Sequence, residues 1–166
     1  MNTRLDQTAA GVILVLGLAA IIAAWGFQLI GGYVPCMLCL EERIPYYVGL
    51  PLALIAFGAA YAGASAGIVR LFLLLAGLAF LVNVGLGVYH AGAEWAWWPG
   101  PSSCGGGSAG GSGDLLSQID KIHVVSCTEA SWRFLGLSFA GWNAVVSLLI
   151  VLVALWGASR PAMRRA

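Results

Sequence analysis

The residues of this chain that are best suited to chemistry are its four cysteines, Cys36, Cys39, Cys104 and Cys127. Cys36 and Cys39 form a C-x-x-C pair, and Arg43 follows the second cysteine by four residues. Two cysteines at this spacing can close a small disulfide. A helix that begins near Leu38 would place Cys39 in its first turn, where unpaired backbone N–H groups favour a thiolate. The motif is consistent with a redox pair, although it also occurs in zinc sites and structural disulfides.

The composition of the chain indicates a membrane protein. Hydrophobic residues make up 60% of the sequence, charged residues make up 9%, and the mean hydropathy is +0.89. An average soluble domain has about 25% charged residues. The formal net charge of +1 provides no basic surface that would attract nucleic acid, so we expect no nucleic-acid partner.

Four long uncharged stretches predict membrane-spanning helices at about residues 8–32, 42–62, 68–90 and 141–159. Each supplies the ~20 apolar residues that cross a bilayer as a helix. The short segment between the second and third stretches predicts an antiparallel helical hairpin. The predicted fold class is therefore an all-α membrane protein, a four-transmembrane-helix bundle. It forms a single membrane domain over residues 1–166, with outer loops at 33–41 and 91–140.

The second outer loop contains two distinct segments. The run 105–113 consists only of glycine, serine and alanine, a composition typical of a flexible tether. After it, Asp114 is suited to cap a short helix. That helix would place four apolar residues on one face, namely Leu115, Leu116, Ile119 and Ile122. We predict a short amphipathic interfacial helix here, lying on the membrane surface.

The distribution of cations predicts the orientation of the chain in the membrane. The N-terminus, the turn between the second and third spans, and the C-terminus carry Arg4, Arg70, Arg160, Arg164 and Arg165. The opposite side carries only Arg43, Lys121 and Arg133. Because cytoplasmic loops are enriched in lysine and arginine, both termini should be cytoplasmic. The four cysteines then lie on the outer side, where disulfides can persist.

Several of these motifs together resemble the disulfide bond formation protein B (DsbB) family. They are the C-x-x-C pair followed by Glu42 and Arg43, His90 at the outer end of the third span, and the block from Cys127 to Trp142. The resemblance covers nearly the whole chain. Two features depart from it, the glycine-rich run 105–113 and a second acid, Glu41, beside Glu42.

The resemblance implies a protein-dithiol:quinone oxidoreductase in the bacterial inner membrane, with its cysteine loops in the periplasm. Its implied partners are a periplasmic DsbA-type dithiol oxidase of the thioredoxin fold and the membrane lipid and quinone pool, with ubiquinone as the expected cofactor. This is the pathway known to keep the bacterial periplasm oxidising. By resemblance, Cys104 would join the partner, Cys127 would resolve that bond, and the Cys39 thiolate would face the quinone.

Arg43 and His90 each have a functional and a structural interpretation. Arg43 lies one helical turn after Cys39, where it could stabilise a thiolate and donate hydrogen bonds to a quinone carbonyl. It could equally be an interfacial anchor whose charged group reaches the lipid headgroups. His90 could assist quinone binding or proton delivery, or it could be a solvated histidine at the membrane interface.

Two other protein classes compete with the redox interpretation. A zinc-binding membrane protein could use the four cysteines with His90 or His123, but structural zinc ligands usually come as two close pairs. Here 22 residues separate Cys104 from Cys127, so we assign no metal site from the sequence. A structural tetraspan protein with two ordinary disulfides would explain the outer location of the cysteines without any activity, and bound quinone would distinguish it from the enzyme.

Overall fold

The computed structural model describes residues 3–101 and 126–159. Its helices are α1 Thr3–Leu29, α2 Met37–Glu41, α3 Ile44–Tyr61, α4 Ala66–Glu94 and α5 Phe139–Ala158. Two short antiparallel strands, β1 Arg133–Phe134 and β2 Leu137–Ser138, form a hairpin directly before α5. The predicted interfacial helix at 114–122, Cys104 and His123 lie outside the described residues.

Four segments are long and apolar enough to cross a membrane, which confirms the predicted all-α membrane fold class. They are Leu5–Leu29, Met37–Tyr61, Ala66–Glu94 and Phe139–Ala158, so α2 and α3 together make the second span. The helix of the third span, α4, continues four residues beyond its predicted end at 90. As a result, Glu94 belongs to the membrane-spanning bundle and not to the outer loop.

The helices follow one another around the bundle in the order α1, α3, α4 and α5, and α1 packs against α5 to close it. Phe80, Leu73, Ile13 and Ile150 are fully buried at its centre. Many large apolar side chains lie on the outside of the helices, as expected for surfaces that face lipid. Because lipid is as apolar as these side chains, close helix packing must come from shape complementarity and small residues.

A glycine sets the approach of α4 to α5. A Cβ atom added at Gly87 would lie 3.0 Å from the backbone nitrogen of Ala144 and 3.1 Å from the carbonyl oxygen of Ala140. Backbone atoms of a packed helix cannot move aside as the end of a side chain can. Gly87 therefore allows α5 to come close enough for the polar contacts between these helices that are described below.

The second span is broken between α2 and α3, and the break orients the acidic and basic residues that follow the cysteine pair. Pro45 lies near the start of α3 and has no N–H to continue the hydrogen-bond ladder. The chain turns there instead, with Arg43 N donating to the carbonyl of Leu40 at 3.2 Å. Glu42 and Arg43 both become buried, each only 7% exposed, whereas Glu41 stays exposed.

The β hairpin covers the end of the bundle that carries the cysteine pair, beside α5. Leu135 and Gly136 have φ angles of 52° and 86°, as a two-residue turn between antiparallel strands requires. Ser138 then caps α5, accepting a hydrogen bond from Gly141 N at 3.2 Å. Trp142 Nε1 donates to the carbonyl of Phe134 at 3.0 Å, which ties the hairpin to the helix.

We expect the Gly87→Val variant to lose about 1–3 kcal/mol of stability, because the added atoms meet the α5 backbone. Gly85→Val is the matched control, since Gly85 is exposed on the same helix and a Cβ there meets nothing within 4 Å. Unfolding of both variants in mixed detergent with increasing denaturing detergent measures the difference. Equal stability of the two variants would contradict the close α4–α5 approach.

Candidate redox site

Cys36 and Cys39 are free cysteines with their sulfur atoms 3.1 Å apart. Cys36 is the N-cap residue of α2, and its Sγ accepts a hydrogen bond from the backbone N–H of Cys39 at 3.3 Å. Cys39 thus lies in the first turn of the second span, as the sequence predicts. The sulfur atoms are already close enough that only a small movement separates the dithiol from a disulfide.

His90, near the end of α4, contacts the first cysteine of the pair. Its Nε2 lies 3.6 Å from Cys36 Sγ, and its Nδ1 lies 2.8 Å from Glu42 Oε1. Because the carboxylate accepts the proton of Nδ1, Nε2 is the ring atom that can exchange a proton with the sulfur. His90 is 2% exposed, so it is not the solvated interface histidine of the alternative interpretation.

The contacts of the pair stabilise an anion on Cys36. A hydrogen bond from the Cys39 thiol, helped by His90 and the Cys39 backbone N–H, outweighs burial and lowers the pKa of the Cys36 thiol to about 4. The sequence argument places the thiolate on Cys39 instead. The difference arises because the first-turn N–H belongs to Cys39 and points back to the N-cap residue, whose sulfur receives it.

A buried polar network holds Glu42 in place. Asn143 of α5 donates from Nδ2 to Glu42 Oε2 at 2.9 Å, and its Oδ1 accepts from Tyr46 Oη at 2.7 Å and from Asn83 Nδ2 at 3.1 Å. Asn83 Nδ2 also lies 2.9 Å from Ser147 Oγ. Residues of α4 and α5 therefore contact this carboxylate directly, and Tyr46 of α3 is linked to it through Asn143.

Neither Glu42 nor Asn143 is among the site residues predicted from the sequence. Two signals could have found them. An acid inside an apolar span is uncommon and usually has a partner in the bundle interior. Asn143 is similarly a strongly polar residue within the fourth apolar stretch. Asn83, a polar residue within the third apolar stretch, joins α4 to α5.

Arg43 is held inside the protein and not in solvent. Its Nη1 donates to Gln28 Oε1 at 2.7 Å, and its guanidinium carbon lies 4.8 Å from the centre of the Trp25 ring. With 7% of its surface exposed, the side chain does not extend outwards as an interfacial anchor would. The arginine is instead fixed with its remaining N–H groups available to a ligand beside it.

A cavity of about 400 Å³ adjoins the cysteines, Arg43 and His90. This volume lies within the range of about 300–1,000 Å³ that is typical of small-molecule sites. Aromatic side chains of α1, the following loop, the hairpin region and the start of α5 form much of its wall, namely Phe27, Tyr33, Trp132, Phe134, Phe139 and Trp142. The cavity thus combines apolar walls with a few convergent polar groups, as expected for a site that binds a largely apolar ring.

Cys127 lies next to the first cysteine pair. It is disulfide-bonded and 1% exposed, and it packs in one apolar cluster with Cys36 and Leu38. The structure therefore brings three of the four predicted site cysteines together. Cys104 lies outside the described residues, so its predicted role stays a prediction.

Comparison with known proteins identifies the family. The family model "Disulfide bond formation protein DsbB" matches residues 6–157. The chain belongs to the DsbB family. Its similar proteins include several named "Disulfide bond formation protein B". No solved structure gives a significant match.

Three of these relatives show how far the similarity extends. The protein of Albidiferax ferrireducens is 33% identical over 162 residues, covering 91% of this chain and 88% of its own length. That of a Polaromonas species is 30% identical over 174 residues, covering 98% of each chain. That of Acinetobacter baumannii is 29% identical over 154 residues, covering 90% and 89%. The DsbB-family chain is a multi-pass membrane oxidoreductase of disulfide bond formation.

We expect His90→Ala to raise the pKa of Cys36 by about 1–3 units, because it removes a group that favours the thiolate. In the unmodified protein, the lowered pKa means that Cys36 is a thiolate at neutral pH. In the variant, the thiolate should form at a higher pH than in the unmodified protein. Thiolate absorbance against pH in the reduced Cys104→Ser/Cys127→Ser protein measures this. His123→Ala is the control, and an unchanged profile in His90→Ala would contradict the contact.

Proposed function

We propose that this chain is a protein-dithiol:quinone oxidoreductase that sustains disulfide bond formation. It reoxidises a periplasmic DsbA-type dithiol oxidase of the thioredoxin fold and passes the electrons to a membrane quinone. The observation that carries the proposal is the free Cys36–Cys39 pair at the wall of a 400 Å³ cavity that also contains Arg43 and His90. Membership of the DsbB family supports the same assignment.

The cavity fits the head group of a quinone such as ubiquinone. Its aromatic walls suit a flat ring, and Arg43 and His90 supply donors for carbonyl oxygens. Trp25 and Gln28 hold the guanidinium of Arg43, so little freedom is lost when it binds. When bound, a quinone supplies the capacity to accept two electrons and two protons.

Exchange between the cysteine pairs follows from the position of Cys127. In the proposed relay, a partner thiolate attacks the disulfide of Cys104 and Cys127 at Cys104, which forms a mixed disulfide and releases the Cys127 thiolate. The second partner thiol then resolves the mixed disulfide during turnover, because attack by Cys127 would only reverse the first step. The two thiols released on this chain next exchange with a disulfide of Cys36 and Cys39. Packing of Cys127 against Cys36 supports that step, because the sulfurs have little distance to travel.

The His90–Glu42 pair supports the proton transfers of this exchange. His90 Nε2 lies 3.6 Å from Cys36 Sγ and takes its proton, while Glu42 holds the ring by Nδ1. The anionic sulfur of Cys36 is then stabilised by the Cys39 thiol and backbone N–H. Closing the Cys36–Cys39 disulfide removes two electrons from the pair and the remaining thiol proton of Cys39.

The proposed location is the bacterial inner membrane, with both termini in the cytoplasm and the cysteines in the periplasm. Five arginines lie near the termini and in the turn between the second and third spans. They support this orientation, because cytoplasmic segments are enriched in lysine and arginine. A periplasmic location also suits the exchange, since disulfides persist in that compartment.

Serine at any of Cys36, Cys39, Cys104 or Cys127 should abolish reoxidation of the reduced partner by quinone. Each exchange needs both sulfurs of a pair, and serine cannot form the bond. Quinone absorbance during turnover with purified protein measures this. Met37→Ser is the matched control, because Met37 lies between the cysteines and is 51% exposed. A cysteine variant with near-normal turnover would contradict the relay and favour a structural tetraspan protein.

Replacing Arg43 with methionine should raise the apparent Michaelis constant for quinone by roughly tenfold to a hundredfold. The reason is the loss of a charge-assisted hydrogen bond, which contributes about 1.5–3 kcal/mol. Arg43→Lys should restore only part of the affinity, since lysine keeps the charge but lacks the planar group. Steady-state rates over a range of quinone concentrations measure both effects.

The control for Arg43 is Arg133→Met, because Arg133 is exposed and does not line the cavity. It should leave the quinone dependence unchanged. If Arg43→Met has the same quinone dependence as the unmodified protein, then quinone binds elsewhere and the cavity assignment fails.

A further inference from the structure

The cysteine pair and His90 form a cluster of soft donor atoms. Cys36 Sγ, Cys39 Sγ and one ring nitrogen of His90 all lie within 4.8 Å of one another. Cys36 Sγ lies 3.1 Å from Cys39 Sγ and 3.6 Å from His90 Nε2. His90 is 54 positions away from Cys36 in the sequence, so only the fold reveals this third donor. Two thiols and an imidazole are preferred ligands of Zn²⁺.

The spacing of these atoms is close to that of a tetrahedral zinc site. Zn–S bonds of about 2.3 Å and Zn–N bonds of about 2.0–2.1 Å require sulfurs about 3.8 Å apart and a sulfur about 3.5 Å from the nitrogen. The separation of 3.6 Å between Cys36 and His90 already meets this requirement. The sulfurs must move apart by less than about 1 Å, and Cys39 is only partly buried, which leaves room for that movement.

Groups around the cluster are arranged as in known metal centres. Glu42 Oε1 lies 2.8 Å from His90 Nδ1, and a carboxylate in this position fixes a histidine with Nε2 free to bind a metal. Asn143 in turn holds the other oxygen of Glu42 at 2.9 Å. Glu94 Oε1 lies 3.9 Å from His90 Nε2, and its buried Oε2 has no hydrogen-bond partner among the described residues. Glu94 could therefore supply a fourth ligand after its side chain turns from His90 towards the sulfurs.

We propose that the reduced chain binds one Zn²⁺ or similar thiophilic divalent cation through Cys36, Cys39 and His90, with Glu94 as the fourth ligand. Binding forms two metal–sulfur bonds and one metal–nitrogen bond. It releases to solvent the thiol proton of Cys39 and any proton shared by Cys36 Sγ and His90 Nε2, and no electrons are transferred. Oxidation of Cys36 and Cys39 to a disulfide removes both thiolates and abolishes the site. The cation therefore binds in only one redox state of the chain.

Binding of the cation should inhibit the enzyme, and this consequence rests on the proposed function. The same two sulfurs cannot bind the metal and close a disulfide. A cation held there keeps the pair reduced and blocks the cavity beside it. Zinc should therefore inhibit quinone reduction most strongly when reduced chain accumulates, that is, when quinone is scarce.

Titration with Co²⁺ tests the site directly. The Cys104→Ser/Cys127→Ser protein, reduced and free of quinone in detergent, should bind one Co²⁺ with the visible bands of tetrahedral coordination and a sulfur-to-cobalt charge-transfer band. Zn²⁺ should displace the Co²⁺, and oxidation of the remaining pair should remove the bands. Cys39→Ser should also remove the charge-transfer band of bound cobalt.

Two acidic neighbours provide a matched comparison for the same titration. Glu42→Gln should weaken Co²⁺ binding by about 10–100-fold, because it alters the group that orients His90. Glu41→Gln should have no effect, because Glu41 is exposed whereas Glu42 is buried. His90→Ala should eliminate tetrahedral binding, whereas His123→Ala should retain it.

Two results would contradict the proposed metal site. One is octahedral cobalt with no charge-transfer band, and the other is equal affinity in the His90→Ala and unmodified proteins. Neither measurement uses quinone or partner, so a negative result leaves the relay intact. A relay failure would likewise leave the metal titration valid. If saturating Zn²⁺ does not slow turnover, the inhibitory consequence is wrong.

Discussion

The carboxylate of Glu42 is buried at the end of the bundle that carries the cysteine pair, with His90 on one oxygen and Asn143 on the other. A charge removed from water in this way is costly unless each of its oxygens has a partner. The partners come from α4 and α5, and Tyr46 of α3 supports Asn143. Three helices must therefore be in register for this carboxylate to be satisfied, and the position of His90 beside the cysteines depends on that register.

The break at Pro45 is what turns Glu42 towards this network. If the second span were one uninterrupted helix, Glu42 and Arg43 would both lie about one turn after Cys39. They would then be neighbours on one side of the helix, about 100° apart from each other. The turn instead buries both residues, with Glu42 on His90 and Arg43 on Gln28. The turn at Pro45 thus directs Glu42 towards His90, beside the cysteines, and Arg43 towards Gln28, at the wall of the cavity.

Sequence patterns predict the features of this protein that depend on local properties. Hydropathy identifies the four spans because each is apolar along its own length, and the C-x-x-C spacing identifies the redox pair. The contact between His90 and Cys36 depends on how two helices pack, and no local pattern encodes it. Likewise, Glu41 and Glu42 look alike in sequence, and only the turn after α2 makes one exposed and the other buried. The hairpin before α5 is too short to show a strand pattern.

Under the proposed function, the site must meet two opposed requirements, since a thiolate needs polar partners whereas a quinone ring needs apolar walls. The bundle meets both around one cavity, with different elements supplying most of each set. Its polar network is built from α3, α4 and α5, while the aromatic walls come largely from the end of α1, the loop after it and the hairpin region. Cys36 and Cys39 lie where the two regions meet. Under the proposed function, protons can leave the sulfurs through His90, while electrons pass to a quinone in the cavity that the cysteines and His90 both line.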